Sequence, residues 1–228
     1  MGIAHHSLQL PIHKNQQVKS THPSIGGQCP PYISLQSTIG EQCPPYVSKK
    51  MYNEIIQFWF EEIKESQWWV KDQDFDQLIF DRYSELHRSA ASCELYEWRS
   101  TAEGRLAEII ILDQFSRNMY RDAPQAFASD SLALGLAQEA IRAGMDHPLE
   151  PIQRSFLYMP LMHSESKKIH EVAVGLYEKN GIESNLKFEL KHKAIIDRFG
   201  RYPHRNQILG RESTAEEIEF LKLPGSAF

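Results

Sequence analysis

Asp113 and Arg117 stand one helical turn apart in the otherwise largely apolar run from Leu106 to Asn118. Asp113 falls three residues after Ile110 and seven after Leu106, which puts it on the apolar stripe of a helix through this stretch. An isolated buried charge is costly, so this face packs only if Asp113 and Arg117 pair or find partners on another helix. The pairing is structural on one reading and ligand-directed on the other. Gln114 and Asn118 add amides that can cap the helix end or point into a cleft.

Two further polar groups carry chemistry. Arg198, Arg201, His204, Arg205 and Asn206 crowd around a helix end and a turn, where planar guanidiniums favour carboxylates and phosphates. This corner reads as an anion site, or as arginines that cap carbonyls and pair with nearby acids. His163 and Glu165 follow Pro160, and both can move protons near neutral pH. His163 is a general base or, in the plainer reading, a helix cap or an interior hydrogen bonder.

Other chemistries lack their signatures. Glu189 and His192 form one Glu-x-x-His unit, whereas a di-iron bundle needs two and further inward glutamates, so no metal is expected. Neither a Gly-x-Ser-x-Gly elbow nor a glycine-rich phosphate loop occurs, and Cys93 has no catalytic-thiol context. No cofactor is expected. Trp59, Trp68 and Trp69 gather with Phe58, Phe60 and Phe75, mostly as core. Adjacent Trp68 and Trp69 cannot share one side of a helix, so one walls a groove or meets a partner.

The elements that position these residues read as helices. Met51, Ile55, Phe58, Trp59 and Ile63 recur at helical steps and predict a helix over 49–65. Phe75, Leu78, Ile79, Tyr83 and Leu86 predict a second over 73–91, with Asp72 and Asp74 at its start. Ser100 and Glu103 form a capping-box spacing for a third that runs to Asn118. A fourth covers 130–142 before Gly144, and Pro151 opens another that Pro160 interrupts or kinks. Ser164 and Ser184 cap helices that end at Gly181 and Gly200, and Ser213 with Glu216 opens the last. No alternating run is long enough for a strand. The fold class expected is all-α, about eight helices in antiparallel hairpins.

The 228 residues divide chemically near residue 50. The first fifty carry four lysines and one acid, a formal +3, leaving −8 for the rest and −5 overall. Residues 1–48 are expected to be a low-complexity, disordered tail, and 49–228 a single helical domain. Within the tail, the segment at Ile25–Ser34 recurs at Ile39–Ser48 with eight of ten positions identical. It reads as a linker, with a docking peptide or weak thiol pair as the alternative. A net negative chain disfavours nucleic acid, and no stretch is long and apolar enough for a membrane span. Cys29, Cys43 and Cys93, without a paired spacing, suggest a reducing, cytoplasmic setting.

Taken in order, the motifs resemble a known family. They are Phe58–Phe60, Gln67–Trp69 with Lys71 and Asp72, Gly104–Leu106, Leu112–Asn118, Tyr158–Glu165, and Arg198–Asn206 leading to Ile208–Thr214. Together they resemble the mainly bacterial domain of unknown function 924 family over 54–221. Ser116 departs from the family's usual proline, which would make the helix end there less sharply broken. The resemblance implies a compact, tetratricopeptide-like superhelical array. It supplies no activity, substrate or catalytic residue.

Curling of the hairpins would bring the groups at 113–118, 163–165 and 198–206 together, joined by Trp68, Lys71 and Arg105. The expected ligand-binding residues are therefore Trp68, Lys71, Arg105, Asp113, Arg117, Asn118, His163, Glu165, Arg198, Arg201, His204, Arg205 and Asn206. The first functional reading is a binding module for a small anionic ligand or peptide. The alternative is a small-molecule enzyme, with His163 or His204 as acid/base, Asp113 orienting, and Arg117, Arg198 and Arg205 stabilising negative charge. A structural or assembly role is the third. Oligomeric state does not follow from the sequence.

Overall fold

Asp72 starts the second helix by accepting backbone N–H bonds from Asp74 and Phe75 at 3.0 and 3.2 Å, which satisfies two orphan donors. That local logic repeats along the chain. The structure, a computed structural model, describes residues 49–226. The expected disordered tail and its duplication lie outside these residues.

The described residues are all helical, with no strand among them. Helix α1 (Lys49–Gln57) runs into a π-helical turn, Phe58–Glu62, and a 3-10 turn, Glu65–Trp68, follows. Helix α2 is Gln73–Ala91. Helix α3 (Ala102–Ile110) continues through a second π-turn, Ile111–Phe115, into the short α4 (Ser116–Met119). Helices α5 (Asp130–Arg142), α6 (Pro151–Met162), α7 (Lys167–Asn180) and α8 (Glu183–Phe199) follow, and after the 3-10 turn Pro203–Arg205 comes α9 (Ala215–Leu221). Counting α3 and α4 as one rod, eight helices stand among the described residues.

Several ends differ from expectation by one or two residues. Thr101, not Ser100, caps α3 by accepting the Gly104 N–H at 3.0 Å, because the Ser100 hydroxyl instead donates to the Glu97 carbonyl. Helix α7 starts after Ser166, and Ser164 offers its carbonyl to His170. Ser184 lies inside the first turn of α8, which starts after Ile182. Thr214 and Glu217 form the reciprocal cap of α9, one residue later than Ser213 and Glu216. Pro160 does not interrupt α6, which continues to Met162.

Helix α1 packs on α3, and α2 on α4 and its π-turn. From α5 to α8 each helix packs on the next, as short connections demand, and α9 packs on the Pro203–Arg205 turn. The core is aromatic at the α1 end: Trp59 meets Phe115 at 5.5 Å and Phe156 at 5.7 Å between ring centroids. Trp59, Phe58, Phe115 and Phe156 are all buried, and each contributes roughly 2–3 kcal/mol relative to exposure.

Candidate functional site

The π-turn Ile111–Phe115 is buried throughout and holds Asp113 and Gln114 in the interior. A widened turn of this kind recurs at functional positions because it re-aims the side chains around it. The Asp113 carboxylate is 1% exposed and sits 3.1 Å from the Arg117 guanidinium, so the pairing expected from their spacing is present. Arg117 also donates to the Asp113 carbonyl at 2.9 Å, closing the same turn through the backbone.

A second helix completes the charge balance. Asp130, at the first residue of α5, accepts from both terminal nitrogens of Arg117 at 3.0 and 3.1 Å. It also accepts from Arg205 at 3.3 Å. Arg205 comes from the other end of the chain because Gly200, at φ 71°, ends α8 left-handed and the Pro203–Arg205 turn folds back. The Arg205 guanidinium lies 4.7 Å from the Phe127 ring and 4.5 Å from the Tyr202 ring, and donates to the His163 carbonyl at 3.1 Å. Its Nε is buried with no hydrogen-bond partner among the described residues.

His163 caps the C-terminus of α6, and its Nδ1 lies 2.8 Å from Asp113 Oδ1. Burial pushes the Asp113 carboxyl upward, but Arg117, His163 and the Gln114 amide outweigh it and hold the group well below the usual carboxylate range. Asp113 is therefore an anion that can only accept, and the proton of this contact sits on His163 Nδ1. Burial and the charge of Arg117 lower the His163 ring, against the pull of Asp113, so the ring is neutral at neutral pH. Burial also lowers His192 to about 3, and burial with Arg205 lowers His204 to about 4.

These groups open onto a cleft of about 740 Å³. Trp68, Trp69, Phe127, Phe188, Met159 and Met162 supply its apolar wall. Arg117, Asn118, Arg121, His163, His204 and Arg205 supply its polar wall, with Lys71 at the edge. Trp68 is fixed by donating from Nε1 to the Trp59 carbonyl at 2.9 Å, while Trp69 is 59% exposed. Adjacent tryptophans thus split their roles, but both border the cleft. A smaller hollow of about 290 Å³ lies on the other side of His163 and Arg205.

Of the expected site residues, Trp68, Lys71, Arg117, Asn118, His163, His204 and Arg205 border the cleft, and Asp113 stands directly behind His163. The others are elsewhere. Arg198 pairs with Glu216 at 2.8 Å on the surface. Arg201 binds Glu217 at 2.7 and 2.8 Å, and Asn206 donates to Ser213 and Glu217, so both hold α9 in place. Glu165 borders only the smaller hollow and is occupied by Arg211 at 2.6 and 2.9 Å and by the Tyr202 N–H at 2.9 Å. Arg105, on α3, borders neither hollow; the charge it faces is Glu139 on α5. Opposite charges within reach hold Arg198, Arg201 and Glu165, and hydrogen bonds hold Asn206.

Some residues at or behind the cleft were not expected. Asp130 reads in sequence as an ordinary helix-start acid, and nothing local shows that it joins two arginines. Arg121 borders the cleft while gripping Asp76 at 2.6 and 2.7 Å, and Asn118 donates to the same carboxylate at 2.8 Å. His192 and Glu189 separate: Glu189 meets His170 at 2.7 Å, and His192 bonds the Phe188 carbonyl at 2.8 Å.

A family model described as a bacterial protein of unknown function, DUF924, matches residues 55–225. The chain belongs to the DUF924 family. A solved structure of a protein of unknown function from Agrobacterium tumefaciens is similar at 38% identity and a TM-score of 0.73, covering 76% of this chain and 97% of that one. No curated protein matches. The DUF924 match spans all of the cleft-bordering motifs and Ser116. There the π-turn runs on into α4, and the Ser116 hydroxyl donates to the Leu112 carbonyl at 2.6 Å and contacts His87 at 2.7 Å. No described helix is long and apolar enough to cross a membrane.

Proposed function

We propose that this DUF924 protein is a binding module whose cleft takes a small organic anion with an apolar body. The observation that carries the reading is the cleft's division into an aromatic wall at Trp68, Trp69 and Phe127 and a cationic wall at Lys71, Arg117 and Arg205. A volume of about 740 Å³ suits a small molecule better than an extended peptide. Arg117 and Arg205 share their charge with Asp113 and Asp130, so they orient a ligand more than they attract it. Lys71 has no ion pair among the described residues, and the buried Arg205 Nε still has a bond to give. We read the stacked hairpins as tetratricopeptide-like, an arrangement that leaves such a concave face. The unpaired cysteine spacing supports a reducing, cytoplasmic setting.

The test is thermal shift of the full chain against aromatic carboxylates, phosphate monoesters and their neutral amide or alcohol counterparts. At a hundredfold excess over Kd, mass action gives about 2.7 kcal/mol, a rise of roughly 5–11 °C for a domain of this size. We expect anions to stabilise the protein, Lys71→Ala to reduce the shift, and Trp69→Ala to lose the preference for aromatic bodies. Equal shifts from neutral counterparts would refute the reading.

A further inference from the structure

The Asp113–His163 contact does more than neutralise charge. Asp113 accepts from Nδ1 at 2.8 Å and is itself held by Gln114 and Arg117, so the imidazole is fixed in both tautomer and orientation. The lone pair then resides on Nε2. Nε2 makes no hydrogen bond among the described residues, and the ring borders both the larger cleft and the smaller hollow. A histidine buried for packing alone would satisfy both nitrogens, as His170 does with Glu189 and the Ser164 carbonyl at 2.7 and 2.9 Å.

We propose that His163 is a general base that removes a proton from a molecule seated in the cleft, with Asp113 as its positioning residue. This rests on the cleft being a binding site. The substrate class is a small anionic carbon acid, a compound whose C–H is acidified by a neighbouring carbonyl. In the step, the C–H bond breaks and an N–H bond forms at Nε2. The electron pair stays on the guest as an enolate, and the imidazolium is stabilised by Asp113. Arg117 and Arg205 face the developing negative charge, and return of the proton to the other carbon or oxygen of the enolate regenerates the base. No oxidant or co-reactant is needed.

The probe for this step is 5-nitrobenzisoxazole, a neutral planar carbon acid that fits an aromatic wall. Removal of its C–H proton turns the C=N into a nitrile, breaks the N–O bond and releases a coloured nitrophenolate. The full chain is expected to exceed an equal concentration of free imidazole by about a hundredfold or more, the usual reach of a positioned base. The rate should rise with pH through an apparent pKa below the ordinary histidine value of 6.5 and then stay flat. The charged and titratable groups facing His163 are Asp113, Arg117, Asp130, His192 and Arg205.

His163→Ala should abolish the excess rate, and Arg198→Ala, far from the cleft, should leave it unchanged. Asp113→Asn should lower the apparent pKa further and also cut the pH-independent plateau rate, because the imidazole loses the acceptor that fixes its tautomer; a lowered pKa with an unchanged plateau would overturn the positioning role. Rates no better than imidazole overturn the proposal, as does turnover that survives His163→Ala or depends instead on His192. The probe is neutral, so its result is independent of the anion shifts. Anion stabilisation retained in His163→Ala with no turnover in the wild type would sink the base and leave the binding site standing.

Discussion

Replacing Asp130 by asparagine removes a carboxylate shared by the two guanidiniums of the cleft while preserving its shape. Asp130 accepts from Arg117 at 3.0 and 3.1 Å and from Arg205 at 3.3 Å. The carboxylate is 21% exposed and Arg205 only 8%, so solvent compensates little. Breaking a fully buried pair costs about 3–5 kcal/mol. Arg117 keeps Asp113, and the asparagine oxygen still accepts, which reduces the expected loss to about 2–3 kcal/mol. For a domain of this size that is a fall of roughly 4–12 °C in Tm. The same change leaves Arg117 and Arg205 with one fewer internal anion. At an effective dielectric of about 20 and roughly 6 Å, the missing repulsion toward a bound anion is about 3 kcal/mol, which screening at the cleft mouth cuts to about 1–2, or on the order of tenfold in affinity. Urea unfolding measures the first quantity, and thermal shift against phosphate monoesters the second. A variant within about 0.5 kcal/mol of wild type, or one that is destabilised and binds anions more weakly, would refute the placement of these charges.

Three further outcomes test the framework around the cleft. Gly104→Ala would drive a methyl group into the Trp98 carbonyl oxygen and against the Thr101 hydroxyl, so backbone must move; urea unfolding should show a loss of about 1–3 kcal/mol, and no loss would contradict the tight α3 entry. Glu217 is held at about 2, chiefly by hydrogen bonds from Arg201, with Thr214 and Asn206 assisting against burial, compared with an ordinary 4.5. That depressed value adds stability above pH 4.5 which disappears as the pH falls toward 2. Glu217→Gln should therefore be less stable at neutral pH and should lack that part of the acid loss; parallel pH–stability curves would rule the pair out. Arg198→Ala removes an exposed pair with Glu216, so its unfolding free energy should change by less than about 1 kcal/mol and its anion response should not change. A lost anion response there would move the site to the surface corner.

Much of the fold is legible along the chain because helical periodicity and end signals are local. Leu106, Ile109 and Ile110 mark the buried face of α3, and Gly181 and Gly200 end their helices at φ 81° and 71°, where only glycine is comfortable. Cap positions slipped by a residue at Ser100 and Ser213 because those hydroxyls are engaged elsewhere, by the Glu97 carbonyl and the Asn206 amide, and Thr101 and Thr214 take the first-turn N–H groups instead. The π-turn at Ile111–Phe115 left no local sign. Its five residues form an ordinary helical pattern, and the widening goes with packing of this segment on α2 and α5.

The residue pattern alone required that Asp113 and Arg117 be compensated, by each other or from another helix, since a buried charge on an apolar stripe has no inexpensive alternative. It could not determine which arginines of the 198–206 corner face inward. That was decided by partners distant in sequence: Glu216 and Glu217 claim Arg198 and Arg201, Arg211 claims Glu165, and Asp130 draws Arg205 beside His163. An ion pair depends on distance in space, and distance between residues dozens of positions apart exists only once the helices have packed.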